Sequence, residues 1–321
     1  MGNESILNDS ISEDMKNIKS SEIQEFASKK TQHFVCILPA YQPKDYWESV
    51  DNGFNQAATD FAHYNITIEK KYFDQYDVQS FLQISEQIID EKPDAVIIAP
   101  IFKEETLSLL KKLDNKNIPY SFIDSFLPET NPISYYGQNS FQSGYIAGKL
   151  LINDVPEDAQ IMIIRTKRKG TEAIQTISRY DGFMQYIKDN KLTGYVEYID
   201  VEFIENDEDY NFKLLEQIFA TYHNIKAAIT FNSKVNRLAM HLASFNRKNI
   251  RIIGYDLLDL NVRYLKRGVI YCLIAQRPER QAYYSVRDMC RKIILKRTPN
   301  QTNYMPIDIL FKENIEDYKN F

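Results

Sequence analysis

Residues 95–124 read AVIIAPIFKEETLSLLKKLDNKNIPYSFID, and this stretch decides the fold. It holds two short apolar runs, Ala95–Pro100 and Tyr120–Asp124, with a helix-period segment around Glu105–Asp114 between them. Each run stops abruptly at a small or polar residue. Short runs rich in Val and Ile, separated by amphipathic helices, are expected of parallel strands buried on both faces by crossover helices. The unit recurs: Phe34–Pro39, Ile161–Arg165, Ala227–Asn232 and Ile252–Asp256 also end abruptly. Ligands of open parallel sheets bind outside the carboxyl ends of the strands, which makes Asp124, Arg165, Asn232 and Asp256 the first candidates for a binding site.

Outward from this stretch the alternation continues in both directions. A helix is expected from about Tyr46, with Trp47, Val50, Phe54, Ala58 and Phe61 spaced for one face, then a strand ITIEKKYF of mixed polarity and a helix over Val78–Glu91. After Asp124 come a short strand ISYYG, a helix over Ser143–Leu151, a helix through Ile174, Ile177, Met184 and Ile187, and a strand YVEYIDV. Helices through Leu214 to Tyr222 and over Ser233–Phe245 follow, and VIYCLIAQ precedes a last helix over about Glu279 to Lys296. Two βα series in tandem predict an α/β protein of two doubly wound parallel-sheet lobes joined by a multi-crossover hinge. The expected division is residues 1–33 as a polar tail or hinge remnant, 34–138 plus about 277–305 as the N-terminal lobe, and 139–276 plus about 306–321 as the C-terminal lobe.

A chain of 321 residues can bury two cores, and its 26% charged and 44% hydrophobic content is that of a globular protein. The net charge of −5 argues against nucleic-acid binding through the overall field. Three cysteines, Cys36, Cys272 and Cys290, have no paired spacing, which favours reduced core thiols and a cytoplasmic location. No stretch approaches transmembrane length, the start lacks a basic-then-apolar leader, and no membrane association is expected.

The motifs of common chemistries are missing. The turn after the first strand, LPAYQPKDYW, contains no glycine, and neither GxGxxG nor GxxxxGK[ST] occurs, so no nucleotide cofactor is expected. Four scattered histidines and the lack of CxxC give no metal site, and without GxSxG there is no visible nucleophile. No catalytic residues and no cofactor are assigned; the chain is expected not to be an enzyme. The strand-end residues suit binding instead. Asp124, Asn232 and Asp256 can accept from vicinal hydroxyls, the lesser alternative being that each caps the helix that follows. Arg179 in ISRYDGF is the candidate guanidinium for a polyol or carboxylate, a solvated helix face being the alternative. Tyr46 and Trp47 offer flat rings for stacking, with core packing open for Trp47.

These residues together resemble a family. FASKKTQHFVCILP, IPYSFIDS with YYGQNSFQSGYIAGKLL, SRYDGF, AAITFNS, IIGYD and IAQRPERQA stand in the order and spacing of the type I periplasmic-binding-protein fold. Within it, they are similar to the effector-binding domain of LacI/GalR transcriptional regulators. The resemblance implies ligand contacts from Tyr46, Trp47, Asp124, Arg179, Asn232, Asp256 and Gln276, a sugar or sugar-derived effector, and a homodimer. Ser125 and Ala99 stand where sugar-binding relatives often carry Arg and a polar residue, while Phe102 and Phe126 suggest a larger apolar surface in the first lobe. Residues 1–33 lack a basic recognition helix, so DNA contact is expected only through a helix-turn-helix not evident in this chain. The rival expectations are an extracytoplasmic solute-binding protein or receptor sensor for a sugar, and a sugar-modifying enzyme.

Overall fold

The computed structural model describes residues 30–153, 155–167, 172–247 and 249–319. The expected tail therefore lies almost wholly outside the described residues.

The first sheet opens with β1 (Gln32–Pro39), α1 (Tyr46–Asp60), β2 (Ile66–Phe73), α2 (Val78–Glu91), β3 (Ala95–Ile98), α3 (Lys103–Asn115), β4 (Tyr120–Ile123) and β5 (Tyr135–Gln138). The second is entered by α4 (Ser140–Ile152) and built from β6 (Gln160–Lys167), α5 (Ile174–Asp189), β7 (Glu197–Ile204), α6 (Glu208–Thr221), β8 (Ile225–Thr230), α7 (Val235–Ser244), β9 (Arg251–Tyr255), α8 (Asp259–Lys266) and β10 (Cys272–Ala275). The chain then returns with α9 (Pro278–Ile293) and β11 (Thr302–Met305), and crosses once more to β12 (Asp308–Leu310) and α10 (Ile315–Lys319).

Strand order is β11-β5-β4-β3-β1-β2 in one sheet and β12-β10-β9-β8-β6-β7 in the other. The two orders match position for position, so β4 and β9 are counterparts, as are β5 and β10. Every pairing is parallel except β12 against β10. The α/β class with two doubly wound lobes and repeated crossovers is thus the architecture.

Physical reasons place the strands. β1, β3, β4 and β8 are almost entirely apolar and lie inside their sheets, where helices cover both faces. β2 and β7 are edge strands at corresponding ends of the two sheets, and both carry charge. In EYIDVEFI burial alternates from Ile199 onward, which leaves Asp200, Glu202 and Ile204 at the surface together with Glu197 at the strand's start, and charged edges resist pairing with another chain. Each lobe has apolar packing on both faces of its sheet.

The returning α9 packs on the first lobe through Ala282, Val286, Met289 and Cys290, against Phe54 and Ala57 of α1. Asp288 anchors it further, accepting from the Tyr136 hydroxyl at 2.6 Å. Three crossovers, after β5, β10 and β11, therefore connect the sheets.

Candidate functional site

Asp124 and Asp256 occupy equivalent places, one at the tip of β4 and one at the tip of β9. Both have left-handed backbones, with φ of 68° and 69°, a conformation that Asp tolerates better than most residues. In each, the backbone N–H continues the ladder to the next strand: Asp124 donates to Tyr136 O at 2.9 Å and Asp256 to Ile274 O at 3.0 Å. The turns are braced from behind. Gln281 Oε1 also accepts from Asp124 N at 3.0 Å, while Asn261 Nδ2 donates to the carbonyls of Ser233, Tyr255 and Asp256.

Side chains from both lobes converge on these turns. The Tyr46 hydroxyl at the start of α1 donates to Asp124 Oδ1 at 2.9 Å, and Gln175 on α5 of the other lobe donates to Asp124 Oδ2. Around Asp256 the set is different. Gln276 donates to Asp256 Oδ1 at 2.7 Å and accepts from Arg179 Nη2 at 3.0 Å, while Arg179 Nη1 donates to Phe231 O at 2.9 Å. Arg179 is only 3% exposed and lies 4.0 Å from the centroid of the Tyr255 ring, which fixes its plane by cation–π attraction.

The electrostatics follow from burial. Desolvation pushes the Asp256 carboxyl up to about 6, against the opposing pull of Arg179 and the Gln276 hydrogen bond, with the Asp124 charge pushing the same way as burial. Tyr46 is raised well above the usual phenol range by burial first and then by the charges of Asp124 and Asp256. Its hydroxyl is therefore a donor throughout ordinary pH, and the site offers two carboxylate acceptors, one guanidinium and several amides.

Two cavities flank these contacts. One of about 240 Å³ is lined by Tyr46, Asp256, Gln276 and Pro278, and one of about 230 Å³ by Asp124, Gln138, Ser140 and Gln175. A larger space of about 660 Å³ opens beside Ile101, Phe102, Glu172 and Ile174. All three lie between the lobes. A fourth, of about 420 Å³, is at the opposite end of the second sheet, beside Lys226, Arg251 and Tyr271, far along the strands from this chemistry. Among the described residues, no group of three or more His, Cys, Asp and Glu side chains is placed to hold a metal ion, and no helix is long and apolar enough to cross a membrane.

A family model described as the periplasmic binding protein domain matches residues 34–296. The chain belongs to that family. Its paired sheets are the type I form of the periplasmic-binding-protein fold. A Bacteroides fragilis protein provisionally assigned as a LacI transcriptional regulator is 36% identical, with a TM-score of 0.84 over 90% of this chain and 100% of that one. A glucose-galactose binding protein from Geobacillus stearothermophilus is 23% identical, with a TM-score of 0.77 over 89% and 99%. The ribose import binding protein of Haemophilus influenzae is 19% identical over 79% of this chain and 83% of its own.

For this family member, the structure brings Tyr46, Asp124, Arg179, Asp256 and Gln276 to the inter-lobe region. Asn232 lies beyond the end of β8, half-buried, and its Oδ1 accepts from Lys234 N at 3.0 Å, which braces the turn before α7 rather than capping that helix, whose N-cap Lys234 makes no side-chain cap. Trp47 packs in the first lobe's core, 7% exposed, edge-on to Tyr46 at 5.1 Å, which supports its packing role. Arg165 pairs with Glu172 at 2.9 Å and stacks over Tyr180. Phe102 joins Phe73 and Phe81 in an aromatic cluster, and Phe126 packs against Phe122 and Tyr135. Gln175, Gln281 and Gln138 carry contacts that the sequence reading missed. Gln175 had one available signal: it lies one helical turn before Arg179, on the same face of α5.

Proposed function

We propose that the chain is the ligand-sensing portion of a LacI-type transcriptional regulator, binding a sugar or sugar-derived molecule between its lobes without turning it over. The observation that carries this reading is the matched pair of strand-tip aspartates, one per lobe, facing a common region with Arg179 and Gln276. A ligand that grips both lobes has different affinities for open and closed forms, as a conformational signal requires. The likeness to the Bacteroides fragilis protein supports the regulator, and the ribose and glucose-galactose binding proteins support a sugar. Cys36, Cys272 and Cys290 are free and buried, in keeping with a cytoplasmic location. In this proposal the chain works as a homodimer, ligand closure resets one subunit against the other, and DNA is contacted through a helix-turn-helix.

The test is a thermal-shift screen of the full chain with D-ribose, D-glucose, D-galactose, uronic acids and phosphosugars, since a bound ligand raises the melting temperature by mass action. At least one is expected to raise it and to be recovered chemically unchanged. Replacing Asp256 or Arg179 by Ala should then weaken that ligand by roughly tenfold or more, the scale of a lost charged hydrogen bond. Undiminished affinity in both variants would overturn the site, and turnover of the sugar would favour an enzyme.

A further inference from the structure

The two aspartate turns are joined by a residue that lies outside both. Gln281, in the first turn of α9, is fully buried and is not on the wall of either cavity beside Asp124 or Asp256. Its Oε1 accepts from Asp124 N at 3.0 Å, and its Nε2 donates to Gln276 O at 2.8 Å. Asp124 belongs to the first lobe and holds Tyr46, whereas Gln276 follows β10 of the second lobe and holds both Asp256 and Arg179. The hydrogen bonds therefore run without a break from the Tyr46 hydroxyl through Asp124, Gln281 and Gln276 to Asp256 and Arg179.

The place of Gln281 in the fold explains the bridge. It stands just past the point where the chain leaves the second lobe, since β10 ends at Ala275 and α9 packs on α1 of the first. The backbone turns there at Arg277, with φ of 52°, and the glutamine side chain reaches back across that turn. A glutamine amide carries an acceptor and donors at one end, so a single side chain can hold an N–H of one lobe and a carbonyl of the other. Its orientation is fixed, because Asp124 N can only donate and Gln276 O can only accept.

We infer that Gln281 is a positioning residue that sets the Asp124 turn against the group formed by Gln276, Asp256 and Arg179, so that ligand affinity depends on a side chain outside the walls of both cavities. The statement about affinity rests on the binding function proposed above. The joining of the two turns does not.

Hydrogen exchange on the full chain, read by mass spectrometry, tests the joining without a ligand. Gln281→Met keeps nearly the same volume and removes both bonds, while Gln281→Asn keeps the amide but is too short to span both partners. Met289→Ala, buried in the same helix against the first lobe's core, lowers stability without touching either turn. In both Gln281 variants the amides of residues 122–126 and 254–257 should exchange several-fold faster than in the parent, with those of 286–290 unchanged. Met289→Ala should melt at lower temperature and leave both turns as they are. Faster exchange around Asp124 alone overturns the inference, as does a uniform rise along the chain. Calorimetry with D-ribose, D-glucose and D-galactose, well below melting, then reads affinity. A sugar that binds the parent should bind both Gln281 variants about fivefold more weakly, the scale of one lost hydrogen bond, and Met289→Ala as tightly as the parent. Equal losses in Gln281→Met and Met289→Ala overturn the positioning role. If none of the three binds the parent, the failure belongs to the choice of sugar, and exchange at the two turns still decides whether Gln281 joins them.

Discussion

Asp256 and His241 impose opposite pH dependences on this protein. Burial raises Asp256 to about 6 from an ordinary 3.8, so between those values the native state binds a proton that the unfolded chain does not. Its contribution to stability is present below pH 4 and is lost as pH rises through 6. His241 behaves in the reverse sense. Packed among Phe212, Phe219 and Phe245 with neither ring nitrogen bonded, it is lowered to about 4 from 6.5 by burial, so its contribution is present above 6.5 and is lost as pH falls through 4. Each amounts to at most about 3 kcal/mol over its window. The two nearly cancel in the parent. Urea unfolding from pH 4 to 7 should therefore show Asp256→Asn gaining stability relative to the parent as pH rises, and His241→Leu gaining as pH falls. Parallel curves for all three proteins would contradict this assignment. Asp256 could be read in the sequence because it ends an apolar run. The burial of His241 could not, since a histidine one turn before Phe245 looks the same on an exposed face as on an aromatic one.

At the scale of elements, the arrangement depends on two close helix contacts. A Cβ at Gly53 of α1 would lie 2.1 Å from Glu279 O of α9, and one at Gly144 of α4 would lie 1.9 Å from Arg179 O of α5. Both pairs must separate to admit a methyl group, at a cost of about 1–3 kcal/mol each. Their consequences should differ. Gly144→Ala displaces the backbone that carries Arg179, so it should reduce ligand affinity as well as the melting temperature. Gly53→Ala should lower the melting temperature with a smaller effect on affinity. Equal affinity losses in the two would show that α4 does not position the guanidinium. Most elements were legible because burial on both faces makes a strand continuously apolar and a crossover helix periodic. The exceptions were α8, β11, β12 and the five-residue α10. TNYM keeps only Met305 buried, β12 has three residues, and DLNVRYLK is barely two turns long, so none is long or apolar enough to carry a period. The site divides in the same way: strand tips announce Asp124 and Asp256, whereas Gln175 and Gln281 acquire meaning only when helices from distant parts of the chain are laid against β4.

For the whole molecule, the question is what holds the two lobes in this relation. Ion pairs bridge the mouth, Lys44 with Asp259 at 3.3 Å, which is exposed, and Lys234 with Asp45 at 2.9 Å, which is half-buried, and pairs open to solvent contribute at most about 1 kcal/mol. The hinge has a stronger tie. Gln138, 2% exposed at the end of β5, donates through Nε2 to Ala275 O at 2.9 Å and to Pro306 O at 3.4 Å. One amide thus joins all three crossovers, and it stands where Gln276 stands at the tip of β10. Gln138→Leu keeps the volume, removes the donor and leaves the buried Ala275 carbonyl short of this partner, at a cost of about 1–3 kcal/mol. The variant should melt at lower temperature than the parent, and its radius of gyration by small-angle scattering should increase as the lobes open. Lys234→Ala should change the melting temperature far less. A Gln138→Leu protein with unchanged scattering, or a Lys234→Ala protein that opens more, would place control of the interlobe angle at the mouth of the cleft rather than at its hinge.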